Sequence, residues 1–116
     1  MGIPIKLAIK EYKILHQAKS ASCIIQAKSL ICSVEDSLIV LGLEDLSEYE
    51  TLYDFVSTYE YSKVEMILLC RELCRAVAEL HSMGIVHGDL SARNFMISRR
   101  SMSVKLVDFY MAHMKG

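Results

Sequence analysis

The feature that most constrains this chain is the run from Lys63 to Met83. Met66, Leu69, Cys70, Leu73, Val77 and Leu80 recur there at steps of three and four, while Glu72, Arg75 and Glu79 occupy the other face. That spacing lays an apolar stripe along one side of an α-helix. Both ends of the helix are marked. Ser62 and Glu65 form a capping box, in which the Ser hydroxyl accepts a first-turn amide and the Glu carboxylate reaches back to the Ser amide. Gly84 is free to take the left-handed conformation that stops a helix. A long helix with one apolar face cannot leave that face in water, so other parts of the chain or a partner must cover it.

The flanking segments offer both helix and strand. Ile5, Ala8, Ile9, Tyr12 and Leu15 predict a first helix, with Pro4 at the position where a missing N–H costs nothing. Leu30–Val34 and Ser37–Leu43 are rich in Ile, Val and Leu and are separated by Glu35-Asp36, which predicts a hairpin whose turn lacks Gly. Between Glu44 and Glu60 the acids Glu44, Asp45, Glu48, Glu50, Asp54 and Glu60 meet no Lys or Arg. This run reads as a solvated face, with a surface for a basic partner as the alternative. A short helix from about Tyr49 to Ser57 should turn Leu52, Phe55 and Val56 inward. Beyond the long helix, Phe95–Ile97 and Val104–Val107 predict a small hairpin around Arg99, Arg100 and Ser101.

Composition removes several function classes. In 116 residues there are 13 Lys and Arg against 14 Asp and Glu, too balanced for a general nucleic-acid binder. No run approaches the roughly 18 apolar residues of a membrane span. The N-terminus lacks a secretory signal pattern, and Lys6 stands where a myristoylation motif needs Ser or Thr. A cytoplasmic protein is expected. Cys23, Cys32, Cys70 and Cys74 are then reduced thiols and are expected to be buried as small apolar residues. Cys70 and Cys74 share a helix face, but with His81 and His87 they match no standard zinc spacing.

Chemistry concentrates after the long helix, in His87-Gly88-Asp89-Leu90-Ser91-Ala92-Arg93-Asn94, followed by Asp108-Phe109-Tyr110. Asp89, Asn94 and Asp108 lie beside short apolar pieces, which puts oxygen ligands at strand ends. Carboxylate and amide oxygens suit a hard cation such as Mg²⁺, which takes few protein ligands and leaves room for phosphate oxygens.

These segments resemble the protein-kinase superfamily, whose catalytic loop reads H-R-D-x-x-x-x-N and whose metal-binding motif is D-F-G. The resemblance extends backwards: Lys63–Met83 corresponds to the helix before the catalytic loop, Leu38–Glu44 to the strand leading to the hinge, and Glu50–Val56 to the short helix after it. It implies that Asp89 accepts the proton of the acceptor hydroxyl, that Asn94 and Asp108 hold Mg²⁺, and that backbone groups near Glu44 and Leu46 meet the adenine of ATP. It further implies that His87 braces the loop and that Glu11 is the small-lobe helix Glu. Arg93 beside Asn94 is closer to the tyrosine-kinase form of the loop. Two departures stand out. Gly88 replaces the Arg that anchors a phosphorylated activation loop in many kinases, although His-Gly-Asp also occurs in atypical kinases. Tyr110 replaces the Gly of D-F-G, which restricts the backbone there.

The fold implied is α+β, a partial kinase-like fold in one domain. Residues 1–43 form a small-lobe remnant, 44–48 a hinge and 49–116 a partial large lobe. The Gly-rich loop, the strand Lys and the later large-lobe helices of the family have no counterpart here; Lys10 adjoins Glu11 too closely to serve as that Lys. The function implied is Mg-ATP-dependent phosphotransfer to a hydroxyl, with a protein as acceptor. The alternative is a catalytically incomplete remnant that binds a kinase or its substrate. Expected partners are ATP, a protein substrate or partner kinase, and a second copy or other protein covering the long helix; neither nucleic acid nor membrane is expected.

Overall fold

The computed structural model describes residues 5–33 and 35–115. In chain order these form helix α1 (Ile5–Gln17), strands β1 (Ala27–Ser33), β2 (Leu38–Leu43) and β3 (Glu50–Thr51), helices α2 (Leu52–Thr58) and α3 (Lys63–Ser82), and strands β4 (Ile85–Val86), β5 (Phe95–Ile97), β6 (Val104–Leu106) and β7 (His113–Met114). The mixed helix-and-strand architecture is the one expected. Pro4 and Val34 lie outside the described residues.

Three small sheets organise the chain. β1 and β2 form an antiparallel hairpin, with Ile31 opposite Val40 and Ser33 opposite Leu38. β3, β5 and β6 form a three-stranded antiparallel sheet, and β4 pairs with β7. The expected strand start at Ser37 is corrected: Ser37 has φ 51°, a left-handed turn conformation that closes the hairpin without Gly. β1 also reaches back to Ala27, where lower hydrophobicity hid it.

Helix α3 follows its signals at the ends more closely than along its face. α3 carries the full Ser62–Glu65 capping box, and Gly84 follows it with φ +75°. Its packing differs from the periodicity. Leu69, Ala76 and Leu80 are buried and Leu73 and Val77 half-buried, but Met66 and Cys70 are exposed. The reason is placement: α3 packs on β4 and β6, while the side chains of Val64, Met66, Ile67 and Leu68 in its first turns stay open to solvent. On α1, Ile5 is exposed, and the buried face comprises Ala8, Glu11, Ile14 and Leu15.

α2 begins at Leu52 rather than Tyr49, because the Thr51 hydroxyl accepts the Asp54 N–H and caps it. Glu50 and Thr51 instead pair with β5. Leu52 and Phe55 point inward, but Val56 is exposed. The cysteines are free, and Cys32, Cys70 and Cys74 are exposed rather than buried. Cys23 is half-buried, and its thiol donates to the Glu79 carboxylate at 3.3 Å. Burial first, and then Glu79, push that thiol up to about 11, which disfavours the thiolate form. Among the described residues no helix is long and apolar enough to cross a membrane.

One core joins these parts. Ile14, Leu15 and Ala18 from the α1 end, Ile24 and Ile25 from the strap before β1, Leu80 of α3, and Ile97, Leu106 and Phe109 around the β5–β6 hairpin belong to a single buried cluster. The segment with polar chemistry lies on this hairpin, at its better-packed end.

Candidate functional site

The site is built on the turn between β4 and β5 and on the residues just after β6. Gly84 and Ile85 lead the chain out of α3, and β5 and β6 run antiparallel with Phe95 opposite Leu106. This pairing returns the chain after β6 to the residues just before β5. Val107 N–H donates to the Asn94 carbonyl at 2.9 Å, so the backbone of Asn94 lies one residue from Asp108.

Asp89 and Asn94 are joined directly. The Asn94 side-chain amide donates to the Asp89 carbonyl at 2.8 Å and to its carboxylate at 3.2 Å. With Nδ2 so engaged, Oδ1 of Asn94 is left as an oxygen donor. Asn94 is buried, whereas the Asp89 side chain reaches solvent. The short Ser91–Asn94 turn, in which Asn94 N–H donates to the Ser91 carbonyl, keeps the two residues at this spacing.

His87 holds the same loop from beneath. Its ring is fully buried and lies edge-on to Phe109, with centroids 4.8 Å apart. Nδ1 accepts the Asp89 N–H at 3.2 Å, which leaves the proton on Nε2, and Nε2 donates to the Val107 carbonyl at 2.8 Å. One neutral imidazole therefore ties the residue at Asp89 to the residue before Asp108. Gly88 between them has φ +85°, and a Cβ there would stand 2.6 Å from the Met111 carbonyl oxygen. The Arg that occupies this position in many kinases does not fit this backbone.

Asp108 itself has φ +59°, the left-handed region that only short polar residues visit readily. Its carboxylate is exposed, and Oδ1 accepts the Tyr110 N–H at 3.4 Å. Phe109 is buried next to it. Glu11 comes to the same place from α1. It is buried, and its pKa is raised chiefly by desolvation and then by the negative charge of Asp108, against a lowering contribution from the Phe109 N–H. Glu11 also faces a cavity of about 260 Å³ lined by Ala8, Ile39, Leu41 and Leu43. Among the described residues no Lys or Arg pairs with it.

The residues expected at a hinge, Glu44 and Leu46, come directly after β2. Glu44 donates its N–H to the Gln26 carbonyl at 2.9 Å. Its carboxylate accepts Lys105 Nζ at 3.0 and 3.3 Å and the Gln26 N–H at 2.8 Å. The Leu46 carbonyl accepts the Tyr49 N–H, closing the turn that follows. The structure thus brings Asp89, Asn94, His87, Asp108 and Glu11 into one neighbourhood, and connects Glu44 to it through Lys105 on β6.

Lys105 escaped the sequence reading, and so did the contact that Arg93 makes. Lys105 is a charged residue in the middle of an otherwise apolar strand, a signal that it needs a partner. Arg93 lies with its guanidinium 4.2 Å from the centre of the Tyr53 ring, a cation–π contact that fastens the loop to α2.

Among the described residues no three His, Cys, Asp or Glu side chains converge as a ready metal cage. The donor set here is different: two exposed carboxylates and one amide oxygen, with no nitrogen or sulfur ligand. Such a set fits Mg²⁺, which keeps waters and phosphate oxygens in most of its positions.

The protein kinase domain family matches residues 3–115. The chain belongs to the protein kinase family. Its mixed fold covers part of a kinase domain. The human cell division cycle 7-related protein kinase is 34% identical over 65 residues, which are 56% of this chain and 11% of that protein. Calcium-dependent protein kinase 15 of Oryza sativa subsp. japonica is 35% identical over 68 residues, covering 56% of this chain and 12% of the relative. The KEOPS complex subunit Bud32 of Pyrococcus abyssi is 42% identical over 48 residues, or 41% of this chain and 21% of the subunit. The matched region is thus at most about a fifth of each of these relatives.

Proposed function

We propose that this protein transfers the γ-phosphate of ATP to a hydroxyl group, with a protein as acceptor. The observation that carries the reading is the double hydrogen bond from Asn94 to the Asp89 carbonyl and carboxylate, on a loop that β6 closes beside Asp108. In this reading the Asp89 carboxylate accepts the acceptor's hydroxyl proton and orients its oxygen for in-line attack on the γ-phosphorus. The new P–O bond forms as the bond to the β,γ-bridging oxygen breaks, and ADP leaves with that electron pair. Asn94 Oδ1 and the Asp108 carboxylate would hold Mg²⁺, which supplies charge neutralisation on the phosphates. His87 keeps Asp89 and Asp108 in register, and the backbone at Glu44 and Leu46 meets the adenine. A cytoplasmic location, where ATP and Mg²⁺ are abundant, goes with this reading.

A second reading is favoured by Glu11. A buried carboxylate beside Asp108 without a cation among the described residues is poorly arranged to organise phosphates. It supports a binding module that engages a kinase or a kinase substrate without transferring phosphate itself.

Thermal unfolding with and without Mg-ATP separates the two. Binding to the native state alone stabilises by about 2.7 kcal/mol at a hundredfold excess over Kd. The phosphotransfer reading expects a concentration-dependent rise in midpoint that Asp108→Asn abolishes. A cooperative transition that Mg-ATP does not move would leave the binding-module reading standing.

A further inference from the structure

Glu44 and Lys105 form the most enclosed of the three ion pairs among the described residues, with side chains 19% and 16% exposed. The pair spans 61 positions of sequence. It also closes a ring. Lys105 Nζ donates to both oxygens of Glu44. Glu44 exchanges two hydrogen bonds with the backbone of Gln26. The strap that leads to Gln26 lies along β6: Ile25 N–H donates to the Leu106 carbonyl at 3.0 Å, and Leu106 N–H donates to the Cys23 carbonyl at 2.8 Å. The Gln26 side-chain amide ties the strap to itself through the carbonyls of Ala21 and Ile24.

The ring has a mechanical consequence. β6 ends two residues before Asp108, so the rigid ring has the hinge peptide at one end and the phosphate-side carboxylate at the other. A nucleotide long enough to touch both ends must match their separation. An enclosed, two-pronged ion pair resists displacement more than an exposed one, because parting the charges leaves each poorly solvated.

We infer that Glu44 and Lys105 are a positioning pair that sets the separation between the hinge and Asp108, so that adenine and phosphates are held at the same time. The inference rests on the nucleotide reading above and adds to it residues whose side chains need not touch the ligand. It makes a distinction that simple stabilisation of the hinge does not. ATP, which spans both ends, should feel the pair; adenosine, which lacks the phosphates, should not.

The test is the affinity of Mg-ATP and of adenosine for the full chain and for Glu44→Gln, Lys105→Met and Lys105→Arg, by titration calorimetry. Glu44→Gln keeps an oxygen for the Gln26 amide, so it removes the charge without opening the strap and decides the matter should Lys105→Met fail to fold. Loss of the charge pair is expected to weaken Mg-ATP about five- to tenfold and adenosine less than about twofold, with Lys105→Arg near wild type. Equal losses for the two ligands, or no loss for either, would overturn the positioning role while leaving the nucleotide site in place. A wild-type chain that binds neither ligand overturns the nucleotide reading and this inference with it.

Discussion

The molecule contains two antiparallel hairpins of opposite character. β1 and β2 are seven and six residues long, and none of their side chains is buried; Ile31, Leu38 and Val40 are about half exposed. β5 and β6 are three residues each, and Phe95, Ile97, Val104 and Leu106 are all buried. The longer hairpin has the stronger strand signal and the weaker packing. It is contacted by α1, whereas the shorter one lies inside the core with Leu80 and Phe109. Strand content depends on local preference, but burial depends on what covers the strand. The polar groups of the candidate site are placed on the hairpin whose position the core fixes.

The largest expected effect follows from that contrast. Ile97→Ala or Leu106→Ala removes a fully buried side chain, and should cost about 2–5 kcal/mol in unfolding free energy. Val40→Ala or Leu38→Ala removes apolar atoms that already meet water, and should cost less than about 1 kcal/mol. Denaturant unfolding with an unchanged m-value measures both. Equal losses in the two hairpins would show that the outer face of β1 and β2 is covered when the protein is in solution.

The same contrast explains what could be read from the sequence. The ends of α3 were legible because caps are local: Ser62 and Glu65 mark its start and Gly84 its stop, each within a turn of the end it marks. Strand positions were legible from runs of Ile, Val and Leu. Which apolar residues are buried was not, because Val56, Met66 and Cys70 have the right periodicity but no neighbouring element above them. β3, β4 and β7 are two residues each, too short for any pattern, and exist only through their partners. The motif residues Asp89, Asn94 and Asp108 were visible as a spacing. The ring from Lys105 through Glu44 to Gln26 was not, since its members are far apart in sequence and the strap carries no motif.

Gly88 and Gly42 turn the comparison of hairpins into one of backbones. At Gly88 the left-handed φ and a carbonyl oxygen 2.6 Å from the missing Cβ oppose any side chain. Gly88→Ala should therefore destabilise by about 1–3 kcal/mol and disturb the Asp89 loop. At Gly42 in β2 the nearest atom, at 2.4 Å, is the Ser29 hydroxyl, the end of a side chain that can rotate away. Gly42→Ala should cost less than about 1 kcal/mol, the size of an ordinary surface change. Thermal midpoints of the two variants, measured side by side, test this. A Gly88→Ala variant as stable as Gly42→Ala would mean that the loop at Met111 gives way freely.

The smallest expected effect lies where the two regions meet. Glu11 projects from α1, which covers the loose hairpin, toward Asp108 at the end of the tight one. Its folded pKa is raised above 4.5 by desolvation and by Asp108, so the native state binds this proton more strongly than the unfolded chain does. The contribution to stability is fully present below about 4.5 and is lost as pH rises through the folded value. Glu11→Gln removes the charge and keeps an oxygen for the Phe109 N–H. The variant should match wild type near pH 4 and exceed it in thermal midpoint at pH 7, the gap opening as pH rises through the folded value. A variant less stable than wild type at pH 7 would show that a cation sits against Glu11 in solution. Glu11 would then be held in its charged form beside Asp108, and the reading of this protein as a binding module would lose the observation that favours it.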